Sequence, residues 1–293
     1  MNQNLINLDE CVLNALDLYI NYGTPRLEMG KHKRIIGIGS GNAAVTAKIL
    51  LEDQDAVLAD ESTYQKKLDT IPGIDAALLI SASAGKHAPI IAKDLEQRRV
   101  ETYFLTCNKD GEASKLFDNQ HLFVFPSKPE PLTYNTSTYM GMILSKTKED
   151  PKKILEHIKN VVDPLIPDMR KYDAFFLLTR PEFDNIREAF LTKFDELFQP
   201  IISGRCFTTE QTIHAKTLVQ SEKELYLAFG CDHKSIIHIG GGVNIPLPEN
   251  AGYAAMMAVA YYTIGKIQAQ NKPFYKERVG AYAEEQKKMF AHK

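Results

Sequence analysis

The stretch Ala76 to Lys93 reads Ala-Ala-Leu-Leu-Ile-Ser-Ala-Ser-Ala-Gly-Lys-His-Ala-Pro-Ile-Ile-Ala-Lys, and its residue types suit the capture of an anion. Ser81 and Ser83 offer hydroxyl donors, and Lys86 and His87 offer positive charge. The apolar run 76–80 predicts a buried strand, 81–85 a loop of small residues, and Pro89 fits the first turn of a helix. A strand, a small-residue loop and a helix N-terminus aim unpaired N–H groups and the positive end of the helix dipole at one point. The same residues also suit an ordinary strand-to-helix turn, in which small side chains are used because they fit. Local sequence leaves both readings open.

A second candidate is Lys193 with Glu196. Three positions apart on a predicted helix, they share a face, so the ammonium can tune the carboxylate or bind a ligand oxygen. An exposed charge pair on a solvated helix would look the same. Glu222 and His233 flank a predicted strand and form another possible acid–base pair, although Lys223 and Lys234 beside them read as solvated edges. The eight histidines show no zinc spacing on one element, and the four cysteines, Cys11, Cys107, Cys206 and Cys231, are scattered. Gly37-x-Gly39-x-Gly41 lacks the spacing and the acidic residue of a dinucleotide fingerprint. The expectation is a site without metal or nucleotide.

The elements that must position these groups alternate. Apolar residues at helical spacing over 3–21 predict a first helix ended by Gly23 and Pro25. Strands are expected at 34–38, 56–59, 76–80, 101–107 and 121–125, with helices at about 43–51, from Pro89 to Arg99, and from Thr138. A polar segment fills the chain up to Gly73. The charged stretch 145–153 marks the expected boundary, giving a lead-in over 1–33, a first unit over 34–150 and a second over 151–293. In the second unit, strands are expected at 174–178, 224–229 and 235–239, and a helix over about 183–198. A loop and helix should run to Val219, a tight turn sits at Gly240–Gly242, a long buried helix spans 251–269, and a basic, polar tail follows. Short strands alternating with helices imply α/β architecture, two doubly wound parallel sheets with an N-terminal helix. Ligands of such sheets bind beyond the carboxyl ends of the strands, where the Ser40 and Ser81/Ser83 loops both lie.

Bulk properties exclude several classes. Hydrophobic residues make up 44% of 293, enough for one large core or two moderate ones. Thirty-five Lys and Arg against 37 Asp and Glu give a net charge of −2, no bulk case for nucleic acid or an acidic membrane. The most apolar stretch, 251–265, is too short to span a bilayer, and the N-terminus does not read as a signal peptide. A cytoplasmic protein with reduced thiols is expected.

Four segments resemble the sugar isomerase (SIS) family, most closely its two-domain branch of phosphosugar isomerases and sugar-amine-phosphate deglycases, whose subdomains are flavodoxin-like. Gly37-Ile-Gly-Ser-Gly is similar to the family's Gly-x-Gly-Ser/Thr-Ser, and Ile80-Ser-Ala-Ser-Ala-Gly-Lys-His to Ser-x-Ser-Gly-x-Thr. Leu105-Thr-Cys-Asn-Lys-Asp-Gly-Glu-Ala-Ser-Lys-Leu resembles Thr-Asn-x-x-x-Ser-x-Leu, and Glu130-Pro-Leu-Thr-Tyr-Asn-Thr-Ser-Thr resembles the Glu-x-x-x-x-Ser-Thr-Lys helix start. Together they cover 34–145. The resemblance implies that Ser40, Gly41, Ser81, Ser83 and the following turn, with Lys86 and His87, hold a sugar phosphate, Asn135 and Thr136 being nearby. Lys86 stands where the family usually has Thr, so an ammonium would replace a hydroxyl.

The second half matches less closely. Lys193-x-x-Glu196 is similar to the family's Lys-x-x-Glu helix, and Glu210-Gln-Thr-Ile-His214 to Glu-x-x-x-His. Ala215-Lys216 replaces the usual Gly-Pro, the spacing from Glu196 to His214 is longer, and no counterpart of a late catalytic lysine is evident. The resemblance implies aldose–ketose or aminosugar 6-phosphate interconversion. Glu196 would carry the proton between C1 and C2, and His214 would open the ring in a neighbouring subunit's site, hence a homodimer with shared sites. A deglycase cleaving a sugar-amine 6-phosphate and a non-catalytic sugar-phosphate sensor are the alternatives.

Overall fold

A computed structural model describes residues 5–235 and 241–291 of the chain. Helix α1 (Leu8–Tyr22) leads into β1 (Ile35–Ile38), α2 (Asn42–Leu50), β2 (Ala56–Ala59), α3 (Tyr64–Thr70) and β3 (Ala76–Ile80). Then come α4 (Ala88–Gln97), β4 (Glu101–Thr106), β5 (Leu122–Val124) and α5 (Thr136–Thr147). The second half contains α6 (Pro151–His157), β6 (Ala174–Thr179), α7 (Arg187–Leu197), β7 (Ser203–Thr208) and the single turn α8 (Thr209–Thr212). It continues with β8 (Glu224–Phe229), β9 (Gly242–Ile245), α9 (Tyr253–Gln270) and α10 (Phe274–Ala291).

Among the described residues there are two sheets, ordered β2-β1-β3-β4-β5 and β7-β6-β8-β9, with every pairing parallel. Parallel strands covered on both faces read as unbroken apolar runs, and β3 and β8 are buried throughout. Between the sheets lies a helical layer in which α1 packs on α9, α5 and α6, and α7 touches α2 and α9. One large apolar cluster runs through this layer from the first sheet to the second. The N-terminal helix is thus part of the core of its own chain. A Cβ on Gly265 would lie 2.0 Å from the Asp9 amide nitrogen, so only glycine lets α9 cross α1 this closely.

Two expectations are corrected, and two segments read only as polar prove to contain helices. The polar segment before Gly73 contains α3. Where a loop and helix to Val219 were expected, β7 pairs with β6 from Ser203 opposite Ala174, and only α8 is helical. Ser-Gly-Arg-Cys-Phe-Thr has no apolar run, because an edge strand needs only one paired side. Its Arg205 lies over the Phe176 ring at 4.5 Å and pairs with Glu224 at 2.6 Å, so tertiary contacts override composition. The strand expected at 235–239 lies, beyond Ser235, outside the described residues, and Ser235 closes a 3-10 turn. Gly242 begins β9 rather than ending a tight turn, and the polar tail is helical as α10.

Candidate functional site

At the carboxyl ends of β1, β3 and β4 lies a cavity of about 640 Å³. Ser40 reaches it from the turn after β1, and Ser81, Ser83, Lys86 and His87 from the turn after β3. A Cβ on Gly39 would meet that of Ala43 at 2.8 Å, so this glycine lets the first turn fold tightly into α2. In the second turn, Ala84 and Lys86 have φ of 54° and 56°. Such alternation curls successive amides towards one side, as in anion-binding nests. The turn's carbonyls are spent elsewhere. Ala82 O accepts from Thr106 Oγ1 at 3.0 Å and Cys107 Sγ at 3.1 Å, and Ser83 O from Asn108 Nδ2 at 3.0 Å. The Ser81, Ala84 and Gly85 amides are bonded to Leu105 O, Ser81 O and Ser83 Oγ, so the donors the turn offers the cavity are chiefly the Ser81 and Ser83 hydroxyls.

The remaining wall comes from residues 127–139. Glu130 accepts from the amides of Thr136 at 2.5 Å and Ser137 at 2.7 Å, so a protein carboxylate already occupies the N-terminus of α5. Asn135 lines the cavity with φ of 47°. Thr136 is fully buried, its hydroxyl without a hydrogen-bond partner among the described residues, and it is not part of the lining. Gly41 likewise sits outside the lining, at the N-cap of α2.

Lys193 is fully buried on α7. Its ammonium donates to Glu196 Oε2 at 2.6 Å, to Thr133 O at 3.0 Å and to Tyr134 O at 3.4 Å. The rings of Tyr134 and Tyr261 stand 5.7 and 5.8 Å away. A buried ammonium needs this full set of acceptors. Through it, α7 grips the Thr133–Tyr134 segment of the first cavity's wall. Glu196 borders a second cavity of about 670 Å³ between the end of α7 and α10, and Thr133 lines both cavities. Burial pushes the Tyr139 phenol of the first cavity well up, and negative charge at Cys107 and then Glu196 adds to that shift.

Ser40, Ser81, Ser83, Lys86, His87 and Asn135 are therefore gathered in one cavity, with Lys193 and Glu196 behind its wall. His214 is not brought to them within the chain. It is exposed just after α8, beside exposed Ile213, Leu218 and Val219. Glu222 and His233 do not meet. Glu222 is exposed before β8, whereas His233 is buried beyond its other end with Nδ1 2.6 Å from Asn244 Oδ1. The strand between them spans roughly 17 Å. The lining also holds Glu61, Lys128, Thr133 and Tyr139, which sequence reading did not single out. For Glu130 a signal existed, an acid six residues before a Thr-Ser-Thr helix start.

No family model matches the sequence, and no curated protein matches it. Solved structures share the fold. Tagatose-6-phosphate ketose/aldose isomerase from Escherichia coli superposes with a TM-score of 0.60 at 13% identity, over 92% of this chain and 89% of that one. Glucosamine-6-phosphate deaminase from Thermotoga maritima gives 0.61 at 13% identity, over 89% and 92%. The C-terminal domain of glucosamine-fructose-6-phosphate aminotransferase from Francisella tularensis gives 0.53 at 14%, over 90% and 94%. The chain has the SIS-type doubly wound α/β fold of phosphosugar isomerase structures.

Proposed function

We propose that the chain is a phosphosugar isomerase that interconverts an aldose and a ketose 6-phosphate; an aminosugar 6-phosphate would react by the same proton transfer followed by entry of water and loss of ammonia. The observation that carries this reading is the donor-rich cavity with Lys193 and Glu196 immediately behind its wall. The phosphate dianion sits on the hydroxyls of Ser40, Ser81 and Ser83 and the turn amides, with Lys86 and His87 adding charge. Asn135 orients the sugar. The open chain runs past Thr133 towards Glu196. Its carboxylate removes the C2 proton of the aldose, leaving an enediol, and returns it to C1 as the ketose forms. The proton moving from O2 to O1 leaves the net charge of the sugar phosphate unchanged, and Lys193 holds the carboxylate in place.

Ring opening needs a second acid–base group. His214 supplies it to the site of a second subunit, and the exposed Ile213, Leu218 and Val219 around it form part of the contact between copies. The test is turnover on a panel of aldose and ketose 6-phosphates. Wild-type turnover falling by about 10²–10⁴-fold in Glu196→Gln supports the reading. No turnover on any member, in wild type and variant alike, contradicts it.

One observation favours a second reading, a deglycase acting on a sugar-amine 6-phosphate. The cavity beside Glu196 has apolar walls, Leu197, Ile201, Phe274 and Val279, with Asp195, Glu196 and Glu277 against the single cation Arg278. Such a cavity suits an amine with an apolar body. Release of free amine from a fructosamine 6-phosphate distinguishes it from isomerisation.

A further inference from the structure

The loop from Pro126 to Pro131 carries a cation that a single phosphate does not require. Pro126, Pro129 and Pro131 stiffen it, and its backbone is tied down at both ends. Tyr19 Oη donates to Pro126 O at 2.8 Å, the Phe125 amide to Thr106 O at 2.8 Å, and the Lys128 amide to Ser137 Oγ at 3.1 Å. Lys128 is thus mounted on fixed backbone, exposed in the lining of the phosphate cavity, with no salt bridge among the described residues. Glu130 does not neutralise it, being bound to the first amides of α5. Lys86 and His87 add charge from the turn after β3, while Glu61 is the other acid in the lining.

Serine hydroxyls and turn amides already suffice for one phosphate, so the positive charge on the stiff loop is in excess. We propose that Lys128 forms a subsite for a second anionic group on the phosphorylated ligand, either a carboxylate or a second phosphate. This rests on the phosphate reading of the cavity. An ammonium on a flexible stem accepts either anion as a point charge.

The experiment is calorimetric titration of the full chain at constant ionic strength. The probes are glucose 6-phosphate, glucose 1,6-bisphosphate, 6-phosphogluconate and inorganic phosphate. At least one doubly anionic sugar should bind about tenfold tighter than glucose 6-phosphate. That ratio should fall towards one in Lys128→Ala and return in Lys128→Arg. Equal affinity for singly and doubly anionic sugars overturns the subsite and leaves the phosphate site standing. A preference that persists in Lys128→Ala, or a loss common to every ligand, overturns it too. Failure of all four probes to bind removes the phosphate reading itself.

Discussion

The two sheets share a plan and differ at the edge where ligands of such sheets bind. Strand order β2-β1-β3-β4 in the first matches β7-β6-β8-β9 in the second, and the first adds β5. After β1 and β3 the chain turns through Gly39-Ser40-Gly41 and Ser81-Ala-Ser-Ala-Gly85; after β6 and β8 it turns through Arg180-Pro-Glu182 and Gly230-Cys-Asp-His233. The first pair of turns leaves hydroxyls facing a cavity. In the second, a groove of similar size, about 620 Å³, has a polar rim largely engaged by its neighbours, although Arg180 Nε has no hydrogen-bond partner among the described residues. Asn244 Nδ2 donates to Asp232 at 2.7 Å, His233 Nδ1 meets Asn244 Oδ1 at 2.6 Å, and Arg180 pairs with Glu182 at 2.8 Å. The edges therefore differ in kind, serine hydroxyls on small-residue turns at the first and charged side chains engaged with one another at the second.

The largest expected effect breaks the comparison at its chemical centre. Glu196→Gln should lower isomerase turnover by about 10²–10⁴-fold while leaving sugar-phosphate affinity within a few fold, as read by steady-state rates beside calorimetry. Next comes Lys193→Met. It strands the carbonyls of Thr133 and Tyr134 and removes the cation from Glu196, so it should cost about 3 kcal/mol in urea unfolding. A change below about 0.5 kcal/mol would mean that α7 does not brace the first cavity's wall.

Smaller effects sharpen the contrast between the edges. Ser81→Ala and Ser83→Ala should each weaken sugar-phosphate binding by roughly tenfold, whereas Arg180→Ala at the equivalent edge should leave it unchanged. The smallest concerns pH. Hydrogen bonds from the Asn244 side chain and the Lys234 amide hold the Asp232 carboxyl below its usual value of 3.8. Its contribution is therefore present above that value and is lost as the pH falls through the lowered one. Asp232→Asn should flatten the acid limb of the stability curve, measured as unfolding midpoint against pH.

Much of the first half was legible because its strands are short apolar runs and its turns are built of serine and glycine. Ser40, Ser81, Ser83, Lys86 and His87 could be assigned to one edge from sequence order alone. The wall at Thr133 was not legible, although Glu130 ahead of the Thr-Ser-Thr helix start was. It depends on a buried lysine sixty residues further on, and the spacing of Lys193 and Glu196 reads equally as a working pair or an exposed one, with nothing to tell that Lys193 reaches Thr133. Strand β7 escaped for a related reason, since its place is fixed by pairing with Ala174–Thr179 and by Arg205 over Phe176 rather than by its own composition. His214 was legible only through resemblance, and within one chain it stands apart from the cavity.

The most direct measurement is a crystal structure of the protein soaked with glucose 6-phosphate. The account predicts phosphorus density within hydrogen-bonding reach of Ser81 and Ser83, with C1 and C2 of the sugar directed towards Glu196. Phosphate seated instead at Arg180 and Cys231 on the second sheet, or a sugar chain directed away from Glu196, would contradict it.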